Sequence, residues 1–193
     1  PTVKQKPITV TAEDKTKTYG NDNPLLTFTV PDGALVGTDT KDALGVTLSC
    51  EATAVSPVKE GGYAITGTSS SANYDVTVTP GTLTINKADN APNMPSSTMN
   101  VANSCTKVSD VTLPTGWVWQ DADKDTALTV GTAVTATAEY NGADKGNYEN
   151  ETVSVSIIRS ACDHAHTEVR NAKEATCKET GYTGDTYCKD CGE

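Results

Sequence analysis

Hydrophobic positions along this chain recur at every second residue, in short runs broken by glycine, proline, asparagine and aspartate. "KPITVTAEDKTKTYGNDNPLLTFTV" holds two such runs, Ile8, Val10, Ala12 and then Leu26, Phe28, Val30. Period-two alternation sends successive side chains to opposite faces, so each run predicts a strand with one buried face. The intervening "YGNDNP" predicts a turn. Gly20 accepts a positive φ, Asn and Asp side chains close local turns, and Pro24 fixes its own φ and biases Asn23 toward extended backbone. Further strands are predicted at "GVTLSCEAT", "GGYAITGT", "NYDVTVTP" and "GTLTINKA". The polar, proline-containing "NKADNAPNMPSST" predicts a short, semi-stiff linker. Beyond it, "KVSDVTL", "GWVWQD", "ALTVGTAVTATAEY" and "NYENETVSVSIIR" return to the same alternation.

Abundant threonine and valine reinforce that reading, because branching at Cβ stiffens χ1 and suits a pleated backbone. Only 36% of residues are hydrophobic, with one Phe and two Trp, which predicts small cores in place of one large one. The fold class expected is all-β: two tandem immunoglobulin-like β-sandwich modules at 1–89 and 90–160, followed by a small Cys/His-rich tail at 161–193 that reads as an incomplete repeat. The two halves rhyme, since Asn73 and Tyr74 precede "DVTV" while Asn147 and Tyr148 precede "ENETVSVSI".

A formal charge of −10 argues against an electrostatic grip on nucleic acid or on an anionic membrane, both of which require clustered Lys and Arg. No apolar run approaches the roughly 20 residues that span a bilayer. The ends, "PTVKQKPITV" and "CKDCGE", predict a segment of a longer polypeptide whose partners are its neighbouring modules.

Ile8 and Val10; Lys17, Tyr19, Gly20, Pro24 and Leu26; Gly62, Tyr63 and Ile65; Asn73 and Tyr74; and Gly81, Leu83 and Ile85 form a pattern that resembles the MBG-type bacterial immunoglobulin-like domain. Cys50 departs from it. Residues 110–158, through "LPTGWVW", "VGT" and "NY", resemble a second module frequent in surface proteins of Gram-positive gut bacteria, and the tail resembles a short repeat from the same kind of protein. These resemblances imply a secreted or wall-attached, adhesin-like stalk: a non-catalytic spacer in an extracellular setting. The alternative is a module that binds glycan or host protein.

The tail gathers Cys162, His164, His166, Cys177, Cys188 and Cys191. A Cys-x-x-Cys turn directs two thiolates at one Zn²⁺, and tetrahedral closure needs two more N or S ligands. The tail-repeat resemblance favours His166, Cys177, Cys188 and Cys191, with Cys162 and His164 as alternates. Disulfides without metal are the rival staple, since a segment with little apolar bulk needs a crosslink and an extracellular setting permits one.

Cys50 and Cys105 read as small half-buried hydrophobes, against a bridge between them. "DADKD" at Asp121–Asp125 places carboxylates at alternate positions but lacks the glycine and distal Glu of an EF-hand, so it predicts an acidic hairpin tip. Trp117 and Trp119 share a strand face: exposed, they would stack against sugar rings; buried, they would fill the second module's core. No catalytic set is legible. Both histidines lie beside Cys162, away from any triad-like neighbours, and "CKDC" lacks the β-α-β setting of a redox motif. No enzyme activity is expected.

Overall fold

The computed structural model describes residues 4–189 and Cys191. The chain is all-β, as the alternation predicts. It divides into two compact units, one running to Asn90 and including Asp144–Glu149, the other comprising Ala91–Ala143 and the chain from Asn150 onward. No helix among the described residues is long and apolar enough to cross a membrane.

The first unit contains β1 (Lys6–Ala12), β2 (Lys15–Thr18), β3 (Phe28–Thr29), β4 (Val46–Cys50), β5 (Tyr63–Ser69), β6 (Tyr74–Thr79), β7 (Gly81–Asn86) and β8 (Ala88–Asn90). One sheet has the order β3-β1-β6 and the other β2-β7-β5-β4. β1 runs parallel to β6 with Ile8 opposite Val76, and β2 runs parallel to β7 with Lys17 opposite Ile85. The same two lengths of chain thus serve both sheets. Each breaks once between them, at Glu13–Asp14 and at Pro80, where proline has no N–H to donate to a ladder.

The alternation read in the sequence is the burial observed. Ile8, Val10 and Ala12 are buried while Thr9 and Thr11 are exposed. Ala12, Ile65, Leu83 and Ile85 form one apolar cluster, against which Cys50 packs; Ile8, Val10, Leu44 and Tyr74 form another. Tyr74 of the motif belongs to the second of these clusters. Its ring is buried, while its hydroxyl accepts the Val36 N–H at 2.9 Å and donates to Asp39 at 2.7 Å, tying down a long loop. Leu26 and Val30 fall outside regular structure, leaving only Phe28–Thr29 as strand. Prolines at 24 and 31 bracket that run and interrupt donation to a ladder.

The "YGNDNP" turn forms with Gly20 at φ 88°. Buried Lys17 fastens it, donating from Nζ to Thr53 O at 2.6 Å and Asn21 O at 3.0 Å. These bonds satisfy an ammonium that would otherwise be costly to bury. Asn147 and Tyr148 group with this unit. Asn147 Oδ1 accepts the Val58 N–H at 2.7 Å, and the Tyr148 ring meets Tyr19 edge-on with centroids 5.5 Å apart. The two Asn-Tyr pairs therefore do different work, despite their similar sequence surroundings.

The second unit holds β9 (Thr98–Val101), β10 (Trp117–Trp119), β11 (Ala133–Tyr140) and β13 (Thr152–Arg159) in one sheet of order β10-β11-β13-β9; β12 (Tyr148–Asn150) precedes β13. Val155 and Ile157 of β13 are buried with Ala136 and Ala138 of β11. Two differences from the sequence reading have local causes. "KVSDVTL" forms a 3-10 turn over Val108–Asp110 in place of a strand. The Asp110 carboxylate accepts the Thr106 and Lys107 N–H groups at 2.8 and 3.0 Å, and these bonds hold its pKa below the usual carboxylate range. The expected linker is ordered: it contains β8, buries Ala91 and Pro95, and its Pro92 carbonyl accepts the Trp117 indole N–H at 2.8 Å.

Candidate metal centre

The tail folds as a β-hairpin of β14 (Thr167–Arg170) and β15 (Asp185–Cys188), antiparallel, with Thr167 opposite Cys188 and Arg170 opposite Asp185. The register continues outward. Lys173 and Tyr182 exchange both backbone hydrogen bonds at 2.7 Å, and the Thr176 N–H donates to Glu179 O at 2.9 Å. Cys177 therefore lies at the tip. Cys162 and His164, just before β14, and Cys191, just after β15, lie at the open end beside Cys188.

That register decides which ligands meet. Cys162, His164, Cys188 and Cys191 each offer one ligand atom, and these four atoms all lie within 4.8 Å of one another. Cys162 Sγ is 3.4 Å from Cys188 Sγ, and Cys191 Sγ is 3.5 Å from His164 Nδ1. Tetrahedral zinc, with bonds of about 2.3 Å to sulfur and about 2.0 Å to nitrogen, places its ligands roughly 3.5–3.8 Å apart, so the cluster needs only small adjustments to close around an ion. Cys188 is buried, Cys162 and Cys191 are half-buried and His164 is exposed. His164 has φ 53°, in the left-handed region.

His166 and Cys177 are not members of the cluster. Cys177 is exposed, and roughly ten residues of extended strand at about 3.3 Å each separate it from the open end. The His166 carbonyl accepts the Lys189 N–H at 2.7 Å, which places His166 opposite Lys189. The structure thus joins two of the four residues favoured by the tail resemblance, Cys188 and Cys191, with both alternates, Cys162 and His164. None of the six cysteines is in a disulfide.

The sulfurs of the cluster act on one another electrostatically. The hydrogen bond from the His164 backbone lowers the Cys162 pKa, but the neighbouring Cys188 and Cys191 thiols and burial outweigh it, and the thiol is pushed up to about 11. Adjacent sulfurs resist ionising together, and a divalent ion among them reverses that preference. A cleft of about 710 Å³ adjoins the cluster, lined by Asn103, Val130 and Arg159 together with Cys162, His164 and Cys191. Arg159 is fixed there by bonds to Asn103 O at 2.7 Å and Leu128 O at 3.1 Å.

Gly184 makes the hairpin possible. It has φ 89°, and a Cβ there would lie 2.6 Å from Arg170 O and against Val169. We expect Gly184→Val to cost about 1–3 kcal/mol of local stability. Amide exchange across β14 and β15 would report it, with protection lost in the hairpin and retained in the four-stranded sheet of the second unit.

The other sequence candidates take ordinary structural roles. Trp117 and Trp119 are 5% and 6% exposed, and the Trp119 indole N–H donates to Val111 O at 2.8 Å. Their ring faces are enclosed, and the core reading holds for both. In the Asp121–Asp125 turn, Asp121 pairs with Lys124 at 2.5 Å, Asp123 accepts the Thr137 N–H at 2.7 Å and Asp125 pairs with Lys107 at 3.2 Å. Cys105 is half-buried, with its Sγ donating to Asp110 O.

Comparison with known families bears on the first unit. Residues 8–84 match the MBG domain (YGX type). The MBG match spans the first unit from within β1 to within β7 and includes the Lys17, Tyr19 and Gly20 turn that Lys17 Nζ fastens. No curated protein and no solved structure matches the chain significantly.

Proposed function

We propose that this chain is a non-catalytic structural segment of a bacterial surface protein, whose C-terminal hairpin is closed by a structural zinc ion held by Cys162, His164, Cys188 and Cys191. The observation that carries this reading is the convergence of four soft ligand atoms within 4.8 Å at the open end of a hairpin. Three thiolates and an imidazole in tetrahedral range suit zinc better than calcium or magnesium, which take oxygen ligands. Four protein ligands leave no position for substrate, which is the pattern of a structural site. The hairpin also has a use for an ion: almost all of its residues are exposed, so it lacks the apolar burial that offsets chain entropy.

The MBG match supports the surface setting, as that domain type is characteristic of bacterial surface proteins. In this reading the β-modules space neighbouring modules of a longer extracellular chain, secreted or attached to the wall, and the zinc-closed hairpin forms a stiff element within it. Brief protease treatment of intact cells expressing the full-length protein tests the setting. Release of peptides from this segment while a cytosolic marker stays intact is the expected result; protection of the segment until the cells are lysed would contradict it.

A further inference from the structure

The cleft beside the cluster exposes some of the thiols and not others. Cys162 and Cys191 line it, and Cys188, 2% exposed, does not. A small molecule entering the cleft therefore meets Cys162 or Cys191 first and finds Cys188 behind them. Cys162 and Cys188 have their sulfurs 3.4 Å apart, whereas Cys191 Sγ lies 3.5 Å from His164 Nδ1. Closing a disulfide from that separation moves the sulfurs together by little more than about 1 Å.

We propose that the cluster has a second closed state, a Cys162–Cys188 disulfide, formed when a small-molecule disulfide enters the cleft and the metal leaves. The zinc-bound state that it replaces is taken from the function proposed above; the linkage itself rests on the thiol geometry alone. Cys162 gives its proton to solvent, and its sulfur attacks one sulfur of the oxidant, forming a mixed disulfide and expelling the other half as a thiolate. The Cys188 thiolate then attacks the Cys162 sulfur of that mixed disulfide and expels the second half. The small disulfide gains two electrons and leaves as two thiolates that take protons from solvent, and the two cysteine sulfurs are oxidised to one S–S bond. Zn²⁺, having lost two of its ligands, passes to solvent.

Cys162–Cys191 would close the hairpin too, but the sulfur–sulfur contact that the structure makes is Cys162 to Cys188, and this pair is preferred over Cys188 and Cys191 for a reason beyond distance. Cys162 and Cys188 are 26 residues apart and flank the whole hairpin, so their bond closes the same loop that the metal closes. A bond within Cys188-x-x-Cys191 would constrain one turn and leave the strands free to part. Loop closure removes more unfolded-state entropy as the enclosed loop lengthens. The hairpin would therefore stay shut in either state, held by an ion where thiols are reduced and by sulfur where they are oxidised.

The test uses the full chain in two preparations, zinc-loaded and stripped with a chelator, each exposed to oxidised glutathione. Alkylation, intact mass and non-reducing peptide mapping then follow the thiols. In stripped protein we expect a cross-linked peptide joining Cys162 to Cys188, two hydrogens lighter than the sum of its two parts, with Cys177 and Cys191 recovered as alkylated or glutathionylated residues. In loaded protein the same cross-link should appear more slowly, with zinc released in step. Cys191→Ser should still form it, and Cys162→Ser should not. A dominant Cys188–Cys191 or Cys162–Cys191 linkage, or mixed disulfides that never resolve, would overturn the proposal. Protein that retains no zinc yet forms the Cys162–Cys188 bond would overturn the zinc reading and leave this one standing.

Discussion

Cys188→Ser is expected to weaken zinc binding by roughly a hundredfold or more and to unpair β14 from β15, while unfolding of the first unit is unchanged. Cys188 is the buried member of the cluster and sits within the hairpin's own ladder, opposite Thr167, so it joins metal binding to strand pairing more directly than the other three. Structural zinc in small peptides is worth about 10–16 kcal/mol. Loss of one ligand in four then removes a few kcal/mol, or roughly a hundredfold or more in affinity. Competition with a chromophoric chelator measures that drop. Cys177→Ser supplies the contrast: at the hairpin tip it should leave the affinity within about threefold of the parent, because it removes no ligand. Equal losses in the two variants would mean that the register does not select the ligands.

Trp119→Ala is expected to unfold the second unit or bring it close to unfolding. The indole is buried opposite Ala138, a large ring against a small partner, and the Ala138 side chain cannot expand to fill the space left behind. Truncating a buried Trp costs about 3–5 kcal/mol, against a total of about 5–15 kcal/mol for a typical domain. Trp119→Phe should cost less, because it keeps most of the apolar contact and loses the N–H bond to Val111 O. Urea unfolding followed by the fluorescence of Trp117 orders the three proteins. A Trp119→Ala variant as stable as the parent would show that the ring does not support the core.

Strand placement was legible wherever one face is buried and the other wet. Ile8, Val10 and Ala12, or Leu83 and Ile85, announce themselves because alternation and burial are one physical fact seen in sequence and in space. Trp117 and Trp119 were legible as sharing a face for the same reason. What alternation does not carry is partnership: the parallel pairing of β1 with β6 depends on strands far apart in the chain. β8 and β9 were missed because three or four residues next to Pro92 and Pro95 show no period; β8 is paired through backbone bonds such as Ala88 N–H to Asn147 O. The Val108–Asp110 turn was read as strand because its apolar residues alternate, while the deciding bonds come from a carboxylate to backbone N–H groups.

The tail shows the same boundary more sharply. Spacing alone identifies six candidate ligands and cannot rank them, because selection among them depends on how the hairpin registers. Once Thr167 lies opposite Cys188, Cys177 is carried to the tip, and Cys162 and His164 fall beside Cys191. Gly184, at φ 89° next to β15, permits the close approach to Arg170 that this register requires, a demand that appears only in the folded hairpin.

The most direct test is elemental analysis of the folded protein, purified under reducing conditions without added metal or chelator, combined with X-ray absorption at the zinc edge. A single zinc ion per chain in a shell of three sulfurs and one nitrogen is the expected result, with one sulfur fewer around any zinc that the Cys188→Ser variant keeps. Metal-free protein with a fully paired β14–β15 hairpin would contradict it.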